Sequence, residues 1–210
     1  MNLSVDVMSD VICPWCYIGK RRLKKAIADL GVPVKVRWLP FQLNPTMPAE
    51  GISRREYRIK KFGSWERSEE LDARVIAVGK EEGIDFAFDR IERTPNTLDA
   101  HRLIWLAEAE GIQDAVVEAL FLAYFTEGRD ISNQQTLLDV VAEAGLDRVK
   151  AEALLNGNYG MEAIHEAGNL SRRHHVDGVP FFVINGQITL AGAQSPDAFV
   201  EAFRQVGGSD

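Results

Sequence analysis

The chain has 210 residues, of which 46% are hydrophobic and 26% charged, proportions of a folded globular protein and not of a disordered one. The length fits one domain with a sizeable core, or one domain carrying a large insertion. A net charge of −7 excludes general nucleic-acid binding, which needs a basic footprint, and no apolar run approaches the ~20 residues that span a bilayer, so no membrane partner is expected either. The N-terminal stretch Met1-Asn2-Leu3-Ser4-Val5-Asp6 has neither the basic n-region nor the apolar h-region of a secretory signal, so a cytoplasmic location is expected.

Leu3, Val5 and Val7 alternate with Ser4, Asp6 and Met8, the period of a half-buried strand. Cys13-Pro14-Trp15-Cys16 follows and opens a helical pattern through Ala28, with Ile18, Leu23, Ile27 and Leu30 near one face. Gly31 and Pro33 stop it. Alternation over 34–39 makes a second strand, and the short connection implies a parallel β-α-β unit. From Ser53 to about Val176 the pattern reads as five or six helices without a strand. Ser53 with Glu56 and Ser132 with Gln135 form capping boxes, and Asn96 is placed to cap the helix that carries Leu98, Leu103 and Ile104. The end returns to β: an apolar strand over 179–184, a hairpin turn at Asn185-Gly186, a return strand over 187–190, then Ser195 capping a last helix with Pro196 at its first position.

The chain has two cysteines, and both lie in the one Cys-x-x-Cys. They are too few for a disulfide scaffold or for a four-cysteine zinc site, so redox chemistry is the reading that their placement supports. No metal is expected: His101, His165, His174 and His175 have no ligand spacing with the cysteines, and each reads as structural or exposed. Disulfide exchange needs a thiolate. Cys13 stands where the helix begins, where free N–H groups and the positive end of the helix dipole favour an anion, which should lower its pKa. Cys16 lies one turn on and on the same side, within reach of Cys13. It should be the more buried and the less ionised of the two. Pro14 suits the first turn, which does not need its N–H.

These segments, taken together, resemble a known family. Strand, redox motif, helix and strand, then a helical block, then β-β-α, is similar to the DsbA-like branch of the thioredoxin superfamily. Four segments look like the FrnE-type oxidoreductases: Ser9 to Arg22 around the redox motif, Pro40-Phe41-Gln42-Leu43-Asn44-Pro45, Arg93 to Arg102, and Gly178-Val179-Pro180-Phe181-Phe182. The resemblance implies an α/β thioredoxin-like fold built from residues 1–52 and 177–210, with an all-helical insertion over 53–176. It implies a protein-disulfide oxidoreductase with Cys13 attacking and Cys16 resolving, acting on protein or small-molecule disulfides. It also implies a cis bond before Pro180, with the Val179 backbone free to pair with an extended substrate. DsbA carries histidine where Trp15 stands, so Pro14 and Trp15 tune the pair, and an uncharged Trp15 implies a weaker oxidant.

The same branch includes 2-hydroxychromene-2-carboxylate isomerases and kappa-class glutathione transferases, with serine in place of Cys13. Their resemblance keeps open a glutathione-dependent isomerase or transferase acting on a small aromatic or polyketide-like substrate. No bound cofactor is implied, but glutathione can serve as co-substrate, with Asn96, Gln194 and Ser195 as candidate contacts beside their capping roles. A chaperone-like apolar platform is a third reading. Two basic clusters, Lys20 to Lys25 and Arg54 to Lys61, read as solvated faces, with attraction for acidic substrates as the alternative. Phe41 and Trp65 read as core, or else as walls of an apolar site.

Overall fold

A computed structural model describes residues 3–173 and 176–207; His174, His175 and the last three residues lie outside the described part. In chain order the first elements are β1 (Leu3–Ser9), α1 (Pro14–Leu30), β2 (Val34–Pro40), β3 (Ile52–Ser53), α2 (Arg54–Phe62) and α3 (Trp65–Glu81). After a single 3-10 turn at Phe88–Arg90 come β4 (Arg93–Thr94), α4 (Leu98–Ala109), α5 (Gln113–Phe125), α6 (Gln134–Glu143), α7 (Arg148–Asn156) and α8 (Met161–Arg173). The chain closes with β5 (Phe181–Ile184), β6 (Ile188–Ala191) and α9 (Pro196–Gly207).

The main sheet runs β2-β1-β5-β6. β1 pairs parallel with β2 and antiparallel with β5, and β6 returns antiparallel to β5. This is β-α-β followed by β-β-α, the thioredoxin-like fold that the resemblance implies. Val5 and Val7 of β1 are fully buried because α1 and α9 lie against the sheet. Across the parallel pair Asp6 stands opposite Arg37 and accepts both of its forked N–H groups, at 2.9 and 2.7 Å. The outer edge of β2 is closed by one side chain: the Gln113 amide accepts from the Trp38 N–H at 2.8 Å and donates to the Trp38 carbonyl at 3.0 Å. A side-chain amide thus stands in for a missing strand.

The block between β2 and β5 departs from the sequence reading in three places. Among the described residues it holds seven α-helices, α2 to α8, more than the five or six expected. It also contains a strand pair, with Ile52 and Ser53 antiparallel to Thr94 and Arg93; two residues a side are too few to leave a period in the sequence. The second capping box fails. Asn133 caps α6 by accepting from the Thr136 N–H at 3.1 Å, while the Ser132 hydroxyl bonds to Asp130 at 2.5 Å. The first holds as an N-cap, Ser53 accepting from the Glu56 N–H at 3.5 Å. α1 ends where expected, at Gly31 in the left-handed conformation, φ 69°, which glycine adopts without a Cβ penalty.

One buried cluster runs from the sheet through α1 into the helical insertion. Tyr17 is its hinge: the ring stacks on Phe121 at 4.9 Å between centroids, and the hydroxyl donates to Glu118 at 3.0 Å. Burial first, then the Glu118 charge, pushes that hydroxyl up to about 12, so it stays protonated. The basic run on α1 is the expected solvated face only at Lys24 and Lys25, which are exposed. Lys20 is 5% exposed and pairs with Asp114 at 2.5 Å, Arg21 pairs with Glu118 at 2.5 Å, and Arg22 and Lys25 share Glu82 at 2.7 and 2.5 Å. Carboxylates from α5 and from the end of α3 are brought over α1 by the tertiary fold, which charge patterning along one helix cannot show.

Candidate active site

β1 aims the chain at the start of α1, and the turn between them sets the redox pair. Cys13 is the N-cap residue, with extended backbone (φ −94°, ψ 111°) and Pro14 directly after it. Its N–H donates to the Asp10 carbonyl at 3.0 Å, and its own carbonyl accepts from the Cys16 N–H at 3.0 Å. Both cysteines are free thiols, Cys13 6% exposed and Cys16 0%. Burial first, then the bond to Cys13 and its negative charge, pushes the Cys16 thiol well up, opposed by the Ser9 hydroxyl and the Asp10 backbone. Cys16 therefore holds its proton, as expected of a buried resolving cysteine.

The strand after the insertion comes back to the same place. The Val179–Pro180 bond is cis, and the Cys13 thiol donates to the Val179 carbonyl at 3.4 Å. Gly19 permits this approach. A Cβ there would lie 3.1 Å from both the Phe182 ring and Pro180, so any larger residue presses α1 away from the proline. Cys13, Cys16, Val179 and Pro180 are thus brought together. Trp15 is exposed beside them.

A cavity of about 460 Å³ opens between the redox turn and the insertion, a volume within the usual range for small-molecule sites. Ile12, Cys13, Pro14 and Trp15 form one wall, and α2, α3 and Tyr124 with Phe125 of α5 form the others. Among the described residues Arg54, Arg58, Lys61 and Arg74 are its cations and Asp72 is its one carboxylate. The second basic run is therefore a solvated face only in part: Arg55, Lys60 and Lys61 are exposed, while Arg54 is 5% exposed and Arg58 half-buried. Tyr124 donates to the Arg93 carbonyl at 3.2 Å, and burial pushes its hydroxyl up, so it lines the site as a neutral group.

Three expected ligand contacts lie elsewhere. Asn96 accepts from the Leu98 N–H at 2.9 Å and donates to the Met47 carbonyl at 2.6 Å, which ties the start of α4 to the loop after β2. Ser195 accepts from the Ala198 N–H at 3.3 Å at the start of α9, and Gln194 donates to the Ala191 carbonyl at 2.6 Å. Neither these residues nor Phe41 or Trp65 line the cavity. Among the described residues no three His, Cys, Asp or Glu side chains gather to hold a metal ion, and His165 is exposed on α8.

The sequence reading passed over two features. Asp10 is fully buried in the redox turn, accepting from the Leu43 N–H at 2.8 Å, and its other oxygen faces Nε2 of the equally buried His101 at 3.3 Å. A carboxylate inside Val11-flanked apolar chain, three positions before Cys13, was the available signal. The other is the Arg54–Asp72–Arg58 group, whose members lie on two helices and left none.

A four-stranded sheet with a Cys-x-x-Cys at the start of its first helix, facing a cis-proline, defines a thioredoxin-fold protein with a redox dithiol. The model of the DSBA-like thioredoxin domain matches residues 4–204, and the chain belongs to that family. A probable DsbA oxidoreductase of Streptomyces coelicolor superposes with a TM-score of 0.91 at 28% identity, covering 100% of this chain and 92% of that one. The cytosolic disulfide reductase DsbM of Pseudomonas aeruginosa gives 0.70 at 22% identity over 97% and 99% of the two chains; it has also been solved with GSH. A 2-hydroxychromene-2-carboxylate isomerase gives 0.72 at 21% identity over 99% of each chain. The last two likenesses show the fold. Among the described residues no helix is long and apolar enough to cross a membrane.

Proposed function

We propose that the chain is a thiol-disulfide oxidoreductase that reduces disulfides through Cys13 and Cys16. The observation that carries this reading is the pair itself: a helix-capping Cys13 bordering the cavity, with the fully buried Cys16 one helical turn on, its N–H donating to the Cys13 carbonyl. The Cys13 thiolate attacks one sulfur of R–S–S–R′, forming Cys13–S–S–R and releasing R′–S⁻, which takes up a proton. Cys16 then loses its proton and attacks the Cys13 sulfur, releasing R–SH and leaving the Cys13–Cys16 disulfide. Two electrons have passed from the dithiol to the substrate. Two equivalents of a small thiol such as glutathione restore the dithiol; support comes from the GSH-bound structure of DsbM. The cytoplasm, with its reducing glutathione pool, suits this direction, and DsbM is described as cytosolic. Val179 and Pro180 would hold the substrate chain beside Cys13 when the substrate is a peptide.

Single substitutions test the scheme. Cys13→Ser is expected to bring disulfide reduction down to the level of a dithiol-free control. Cys16→Ser is expected to stop at the mixed disulfide, visible as a stable mass adduct of one substrate half. Retained turnover in Cys13→Ser rejects the reading. The cavity supports a second one, a glutathione-dependent isomerase acting on a small molecule, because it is larger than a disulfide alone requires. In that case Cys16→Ala leaves turnover of the small substrate untouched, whereas the dithiol scheme loses it.

A further inference from the structure

We infer that the cavity selects a small aromatic disulfide carrying a carboxylate, which it receives on the Arg54–Asp72–Arg58 group. The inference rests on the dithiol reading and adds the class of substrate.

The charge balance inside the cavity is the argument. Asp72 accepts from Arg54 at 2.6 Å on one oxygen and from Arg58 at 2.5 Å on the other. Both oxygens are used, so one carboxylate faces two guanidinium groups and one positive charge is left over. The group is out of water: the side chains of Arg54, Arg58 and Asp72 are 6, 16 and 10% exposed. Burial accordingly pulls the Arg58 guanidinium down, with Asp72 opposing, the mark of a desolvated cation short of negative partners. Lys61 and Arg74 add positive charge at the exposed side. In a protein of net charge −7 such a pocket concentrates anions.

Apart from Tyr57, Thr94 and Tyr124, the rest of the wall is largely apolar. Ile12, Leu43, Phe62, Val75, Phe88 and Ile91 line it together with the redox turn and the arginines. A ligand that spans from Cys13 to the surplus charge therefore needs a disulfide at one end, a flat or apolar body, and an anionic group at the other. The buried arginines are met only by a group that enters the cavity, which favours a low-molecular-weight disulfide over a folded protein surface.

The test uses two aromatic disulfides that report the same exchange: dithiobis(nitrobenzoate), with a carboxylate on each ring, and the uncharged dithiodipyridine. The readout is the ratio of their second-order rates with the reduced protein. Taking this ratio cancels any change in the reactivity of Cys13 itself. Arg58→Gln leaves Arg54 and Asp72 as a balanced pair and is expected to lower the ratio about tenfold, the worth of one charge-assisted hydrogen bond. Arg54→Gln removes the surplus from the other side and should act alike, so the test survives if either variant does not fold. Raised salt should change the ratio much less in the variants than in the native protein. An unchanged ratio in folded Arg58→Gln or Arg54→Gln overturns the inference while leaving the dithiol reading intact. Equal rates for native protein and Cys13→Ser with both reagents overturn the dithiol reading instead. If the native protein reduces protein disulfides and discriminates neither reagent, the substrate is a protein and the inference is again rejected.

Discussion

The two basic runs, Lys20 to Lys25 on α1 and Arg54 to Lys61 on α2, look alike in sequence and do opposite things. On α1 each buried or half-buried cation has a carboxylate from the insertion, and Glu118 and Glu82 serve as its staples. Charge there is spent on joining the insertion to the thioredoxin-like part. On α2 a single carboxylate serves two guanidinium groups at a cavity wall beside Cys13. Charge there is left over, and a ligand can use it. Glu82 is also shared, by Arg22 and Lys25, but Lys25 is half exposed and solvent answers its charge, whereas Asp72 serves two guanidinium groups held out of water at the cavity wall. Place after folding, not the run of cations, separates a structural charge from a binding charge.

Removing Asp72 should break the α2 side hardest. Asp72→Asn leaves two buried guanidinium groups facing each other without an anion, which costs about 3–5 kcal/mol; urea denaturation should show a lower midpoint with an unchanged slope. Arg58→Met in the same chain removes that repulsion, so the double variant should be more stable than Asp72→Asn alone. Additive losses in this cycle mean that the three groups do not form one unit.

On the α1 side the loss is smaller and depends on pH. Burial acts to raise the Glu82 carboxyl, but the hydrogen bonds and charges of Lys25 and Arg22 outweigh it and hold the group below its usual range. A carboxyl lowered in the folded state adds stability above its unfolded pKa of ~4.3, and that stability is lost as pH falls through the folded value. Glu82→Gln should therefore cost about 1 kcal/mol at neutral pH, a modest figure because Lys25 is half exposed and solvent screens the pair. As pH falls through the lowered folded-state value the native and variant denaturation midpoints should converge. A gap that persists there means that Glu82 acts through packing and not through its charge.

The comparison also explains what the sequence could and could not disclose. The redox pair was legible because its geometry is local: one helical turn separates Cys13 from Cys16, Pro14 fits the first turn, and Gly31 ends the helix. The cis bond at Pro180 was legible only through the family resemblance, since the contact of Val179 with Cys13 crosses the whole insertion. Neither the Lys20–Asp114 pair nor the Arg54–Asp72–Arg58 group could be read, because each joins two helices whose packing no periodicity specifies. Asp72 sits in Glu69-Glu70-Leu71-Asp72-Ala73-Arg74, which reads as an outward face. Asp10 and His101 meet for the same reason, a turn and α4 folded together around apolar chain.

The smallest effect is the sharpest probe of the difference. Lys61 on α2 and Lys25 on α1 are both solvent-accessible cations with one clear polar partner, the Tyr57 hydroxyl at 2.9 Å and Glu82 at 2.5 Å. Lys61→Gln should change stability by no more than about 0.5 kcal/mol, as surface substitutions do. Its effect should fall on the substrate: the rate with the anionic aromatic disulfide relative to the uncharged one should drop about twofold, the scale of an exposed charge interaction. Lys25→Gln should lower stability slightly and leave that ratio alone, because its charge is already answered and lies outside the cavity. Equal ratios in the two variants would mean that the cavity does not feel Lys61, and the contrast between the runs would then rest on the buried arginines alone.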